Sequence, residues 1–142
     1  MQDFEHIEVE VKAVETLQQA KRLIIELQKQ LKGFEQTAVI TSFDLKIHQA
    51  LQQQQSSFKR GLLIEQDIKQ HAIEQALQLG CCQIGWMNQL ATDDIIQATQ
   101  NAKLNISVWT VNDIERAKHL QRLGIDGLIT DFPKMMLEHL SI

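Results

Sequence analysis

"ISVWTVNDIERAKHLQRLGIDGLITDFP", Ile106 to Pro133, decides the fold. An apolar run carrying Trp109 ends in Thr110, Val111 and Asn112. A helix-like stretch opens at Asp113 and stops at Gly124. A second apolar run then ends in Thr130 and Asp131. Strand, helix and strand in this order read as two parallel strands joined by a crossover helix. Open α/β sheets and α/β barrels both place their sites at the C-terminal ends of strands. The polar residues that close both runs therefore mark that rim as the working face.

The same alternation extends back to the start of the chain. "HIEVEVK", His6 to Lys12, alternates strictly: Ile7, Val9 and Val11 on one face, Glu8, Glu10 and Lys12 on the other. "AVETLQQAKRLIIELQKQLKG" is helical in period and stops at Gly33. "TAVITSF" is β-rich, and the helix after it has Asp44 as its cap. "RGLLIE" and "CCQIGWM" read as the third and fourth strands. Between them lies a helix with Asp67 as cap candidate and Gly80 at its end. "TDDIIQATQNAK" is a helix capped by Thr92, and "KMMLEHL" a short tail helix after Pro133. The glutamine run Gln52 to Gln55 reads as a solvated helix face.

Six βα units predict a parallel sheet with helices outside it. An open doubly wound sheet and a (β/α)8 barrel compete. Six strands fall short of eight, and the chain opens on a strand. The reading is an α/β, incomplete (β/α)8 TIM-type barrel with six parallel βα units, missing its first quarter.

Composition bounds the function. A chain of 142 residues with 44% hydrophobic and 23% charged side chains is one domain with an ordinary globular balance. The net charge of −4, with Lys and Arg scattered, argues against nucleic acid as a partner. No apolar run approaches a bilayer span, and no leader-like segment opens the chain, so a cytoplasmic location is expected. Cys81 and Cys82 are adjacent and on a strand would point to opposite faces. They read as small packing residues, not as a disulfide or a metal pair.

The motifs resemble those of the glycerophosphodiester phosphodiesterase family. "VWTVND" followed by "LGIDGLITDFP" is similar to its C-terminal signature. "IEVEVK" resembles its "IEIK" strand, "ITSFD" its "SSF" strand and "RGLLIE" its "GLL" strand. The matches run in the family's order over nearly the whole chain. The resemblance makes residues 1–142 the C-terminal portion of a TIM-barrel domain. It implies hydrolysis of glycerophosphodiesters, a small-molecule substrate from lipid metabolism, to glycerol 3-phosphate and an alcohol. It also implies one divalent cation, Ca²⁺ or Mg²⁺. A cation polarises the phosphoryl oxygens while histidines move protons. Residue by residue, the resemblance makes Glu10 a metal ligand, Lys12 a phosphate contact and Trp109 a wall against the glycerol moiety.

The sequence also departs from that family. No "HRG" strand, E-x-D metal strand or "HD" pair stands ahead of "IEVEVK" in it. Four of the five histidines, His48, His71, His119 and His139, fall on predicted helices. His6 falls at the N-terminal end of its strand. No catalytic residue is assigned, cation binding by this chain is expected to be weak or absent, and the chain alone is expected to be inactive. The competing reading is a non-catalytic remnant or binding module. Open barrel edges predict self-association.

Each of these residues also has a plainer reading. Glu10 and Lys12 can be a solvated strand face with Glu8. Trp109 can be core. Asp131 can cap the tail helix. Trp86 reads as packing, and Ser42 lacks the partners of a nucleophile.

Overall fold

A computed structural model describes residues 5–140 of the chain. Six strands alternate with six helices: β1 (Ile7–Glu10), α1 (Leu17–Gln30), β2 (Ala38–Ser42), α2 (Leu45–Gln53), β3 (Lys59–Ile64), α3 (Gln70–Gln78), β4 (Gln83–Met87), α4 (Asp93–Asn101), β5 (Asn105–Trp109), α5 (Ile114–Leu123), β6 (Gly127–Leu128) and α6 (Pro133–His139). A short 3₁₀ turn, Asn88–Leu90, precedes α4. The strands form one sheet in sequence order, every neighbouring pair parallel. β1 and β6 do not pair with each other, so the sheet is curled but open: an incomplete TIM-type barrel, as the alternation predicts.

Local chemistry starts the helices where the sequence places them, with two exceptions. Thr16 and Gln19 form a reciprocal capping box on α1. Asp44, Thr92 and Asp113 each cap with a side-chain oxygen, and Gly124 ends α5 in the left-handed region at φ 83°. Asp67 is not the cap of α3. That helix starts later, after Lys69, with no side-chain cap. Asp131 does not cap α6 either: the capping position is Phe132, and Pro133 starts the helix. The glutamine run does more than face water. Gln52 donates to the Gln78 carbonyl at the end of α3, and Gln54 donates to the Lys21 carbonyl in α1.

The pleat divides the sheet into two faces. Ile40, Leu62, Ile84, Ile106 and Val108 point outward and meet buried helix residues such as Ile24, Ile47, Ala76, Ile96 and Leu120. Trp86 belongs to this outer layer. It is fully buried, and its indole N–H donates to Thr99 Oγ1, so the packing reading of that residue holds. The inner, concave face carries Glu8 and Glu10, Val39 and Thr41, Gly61 and Leu63, Gln83 and Gly85, and Ser107 and Trp109, matched by the strand register.

Candidate functional site

The concave face opens at the C-terminal rim into a cavity of about 640 Å³. Glu10, Lys12 and Trp109 all line it, with Thr41, Phe43 and Leu63 between them. Glu10 is the last residue of β1. Lys12 lies two residues further on, beyond the strand. The Val11 N–H still donates to the Thr41 carbonyl, which keeps this segment along β2.

Ser42 and Asp44 pin the same rim. Ser42 Oγ donates to the Val11 carbonyl at 2.6 Å and accepts from the Asp44 N–H. Asp44 accepts from the N–H groups of Val14 and Lys46 and pairs with the Lys46 ammonium at 3.0 Å. Burial pushes the Asp44 carboxyl up, but these donors outweigh it and hold the group below its ordinary value. Ser42 is thus a backbone tether.

Lys12 Nζ lies 2.6 Å from Glu10 Oε1. The Lys12 side chain is 85% exposed and projects into solvent at the cavity mouth. Across the face, the Trp109 indole N–H donates to the Gly85 carbonyl at 3.2 Å. Its ring meets Phe43 edge to face, with centroids 5.5 Å apart and planes at 89°. The indole is thereby fixed as a half-buried wall of the cavity. Phe43 was not singled out in the sequence; its place at the end of the "ITSF" strand, on the Thr41 side of the pleat, is the signal that could have found it.

Thr130, Asp131 and Asn112 hold one another. Asn112 donates to Asp131 Oδ2 at 2.9 Å, and Asn112 Oδ1 accepts from Thr130 Oγ1 and the Asp131 N–H. These polar strand ends lock the β5 and β6 loops together, which is why both apolar runs finish in such residues.

Glu8 and His6 reach the same cavity. His6 therefore stands on the cavity wall, though just ahead of β1, with Nε2 3.4 Å from Glu8 Oε1. The other histidines lie elsewhere. His48 is fully buried behind the sheet, His71 and His119 pair with Glu74 and Asp93 on the helix surface, and His139 bonds the Met135 carbonyl.

Glu10 and Glu8 are the carboxylates on this wall, and both already have partners: Lys12 on Glu10, and Gln83 on Glu8 at 2.6 Å. Among the described residues no group of three or more His, Cys, Asp or Glu side chains could hold a metal ion. Ca²⁺ takes about six to eight oxygens and Mg²⁺, which keeps several waters, still takes one or two carboxylates, whereas both carboxylates here are already engaged. These residues by themselves do not fit either ion. The arrangement offers an ammonium beside a carboxylate, facing an aromatic wall.

The curled sheet of parallel βα units, with its polar cavity at the strand C-termini, defines a TIM-type barrel protein. Solved structures share the fold. A glycerophosphodiester phosphodiesterase from Parabacteroides distasonis is 17% identical, with a TM-score of 0.77 over 94% of this chain and 56% of its own. A phosphodiesterase from Oleispira antarctica, solved in complex with the product sn-glycerol-3-phosphate, is 15% identical with a TM-score of 0.78, covering 94% and 55%. A glycerophosphodiester phosphodiesterase from Thermotoga maritima is 22% identical with a TM-score of 0.68, covering 94% and 57%. The chain thus spans little more than half the length of these relatives. Residues 5–135 match the glycerophosphoryl diester phosphodiesterase family, and the chain belongs to it.

Proposed function

We propose that residues 1–142 form the C-terminal part of a glycerophosphodiester phosphodiesterase barrel and supply its wall for the glycerol phosphate half of the substrate. Lys12 takes the phosphate, Trp109 packs against the glycerol carbons, and Glu10 offers one oxygen ligand toward a divalent cation. The observation that carries this reading is the meeting of those three side chains in one cavity at the C-terminal rim. Family membership and the relative bound to sn-glycerol-3-phosphate support the substrate class.

The chain's own residues do the binding. Lys12 offsets phosphate charge and also neutralises Glu10, while Trp109 and Phe43 exclude water from one side of the ligand. Only His6 among the described histidines lies on this wall, and it stands ahead of the strand whose C-terminal end carries Glu10. The described histidines thus assemble no acid–base pair for hydrolysis in this cavity. Chain alone, the protein binds the product fragment and does not turn over diester at a rate typical of the family.

The test is release of glycerol 3-phosphate from glycerophosphocholine by the purified chain, with Mg²⁺ or Ca²⁺ present. No release is expected beyond that of a Glu10→Ala control. Cation-dependent release that disappears in Glu10→Ala would show that these six units carry the chemistry themselves.

A further inference from the structure

Gln83 and Glu8 are 75 residues apart in sequence and three strands apart in the sheet, yet Gln83 Nε2 lies 2.6 Å from Glu8 Oε1. In a flat sheet, strands three apart are separated by about 14 Å. Two side chains of this length meet there only because the sheet curls. Their path is left clear by a glycine. Gln83 stands in register with Gly61, Thr41 and Glu10. A Cβ on Gly61 would sit 3.3 Å from Gln83 Nε2 and 3.3 Å from Thr41 Cγ2. The amide thus passes over a bare backbone at Gly61 and alongside Thr41 to reach β1. Gln83 is 6% exposed, so its bond to a carboxylate is charge-assisted and largely shielded from water.

Among the described residues β1 has a strand partner on one side only, so its position relative to β5 is set by curl, not by a closed ring of ladders. The bond from Glu8 to Gln83 is made two residues before Glu10, on the same face of the same strand. We propose that Glu8 and Gln83 are positioning residues: their bond across the concave face sets the curl of the open barrel. It thereby fixes the width of the cavity between Lys12 and Trp109. That width decides whether a ligand longer than inorganic phosphate can touch both walls. The second half of this inference rests on the reading of Lys12 and Trp109 as ligand contacts; the first half does not.

The experiment has two arms. Spin labels at Ala13→Cys and Thr110→Cys, in a Cys82→Ser background, report the distance between the two rims by pulsed electron resonance. Cys81 is buried with its thiol pushed up to about 12 by that burial, which keeps it out of the labelling. A narrow distance distribution is expected for the parent. Glu8→Gln keeps an acceptor for Gln83 and should retain that distribution. Glu8→Leu, Gln83→Leu and Gly61→Val should lengthen and broaden it. In the second arm, unlabelled proteins are titrated with inorganic phosphate and with sn-glycerol 3-phosphate. Gln83→Leu should weaken glycerol 3-phosphate by about tenfold, the loss of one well-placed contact, and leave phosphate within about twofold. Glu8→Gln should keep the parent's preference.

If Gln83→Leu lowers thermal stability without moving the label distance, the bond is only a stabilising contact and the proposal fails. If the distance grows but the two ligands keep their ratio, the width does not select the ligand, and that half is overturned. If the parent binds neither ligand, the ligand reading of Lys12 and Trp109 falls, while the label distances still decide the curl.

Discussion

His48 makes the chain sensitive to mild acid. Its side chain is fully buried in α2, behind β2. Nε2 lies 2.9 Å from the Ser42 carbonyl, which can only accept, so Nε2 carries the proton. Nδ1 faces Cys81 Sγ at 3.7 Å and is left as the acceptor for the thiol. Desolvation holds the imidazole below its ordinary value of 6.5; the Ser42 carbonyl and Asp44 work the other way, and Arg60 adds to the lowering. The unfolded chain therefore takes up a proton near pH 6.5 that the folded chain refuses. Stability contributed by neutral His48 is present above that pH and is lost as the pH falls below it. Were His48 to stay neutral down to pH 5, the loss between pH 7 and pH 5 would reach a ceiling of about 2 kcal/mol. At a urea slope of about 1–3 kcal/mol per molar, that ceiling corresponds to a fall in the midpoint of at most about 2 M. Asp44, held low, loses its contribution only below its ordinary value of 3.8, outside this window. Urea unfolding of the parent and of His48→Gln at pH 7, 6 and 5 isolates the effect, because the other histidines are common to both. Glutamine can still donate to the Ser42 carbonyl but does not titrate. The parent should lose more stability than the variant across this range. Parallel pH profiles would refute the reasoning.

Other consequences can be checked independently. A Cβ on Gly85 would lie 2.7 Å from Leu63 Cδ2 and 3.1 Å from Ser107 Oγ, so Gly85→Ala should cost about 1–3 kcal/mol by overpacking. Thermal unfolding reads that cost, and Trp109 emission should shift because its indole bonds the Gly85 carbonyl. Calorimetry with Mg²⁺ or Ca²⁺ should show weak binding; tight stoichiometric binding would mean that Glu8 or Asp131 completes a set of oxygens with Glu10. Light scattering should report association, because β1 and β6 each have one free edge and Ile129, Phe132 and Leu137 are exposed at or beyond the β6 edge. A monodisperse, heat-resistant monomer would contradict that.

The architecture was legible because short apolar strand runs and period-3.6 helical stretches take turns along the chain. Asp44, Thr92 and Asp113 were legible as caps because capping is local. α3 was misread at its start because Asp67 has a good capping side chain, but the backbone turns into the helix only after Lys69, at φ 50°. Asp131 was misread for a different reason: its partner, Asn112, lies 19 residues away on the next loop. The glutamine run hid its bonds to α1 and α3 in the same way. Glu10, Lys12 and Trp109 could be singled out because the motifs around them are local. Their meeting in one cavity, and the bond from Glu8 to Gln83, depend on curl, which no local pattern states.

The most direct test of the binding wall is a calorimetric titration of the chain with sn-glycerol 3-phosphate, alongside Lys12→Met and Trp109→Ala. The account predicts saturable binding by the parent. It also predicts that each substitution weakens that binding by about tenfold, one lost charge or apolar contact each, with Lys12→Met leaving thermal stability unchanged. Equal affinity in all three proteins, or no binding by the parent, would contradict it.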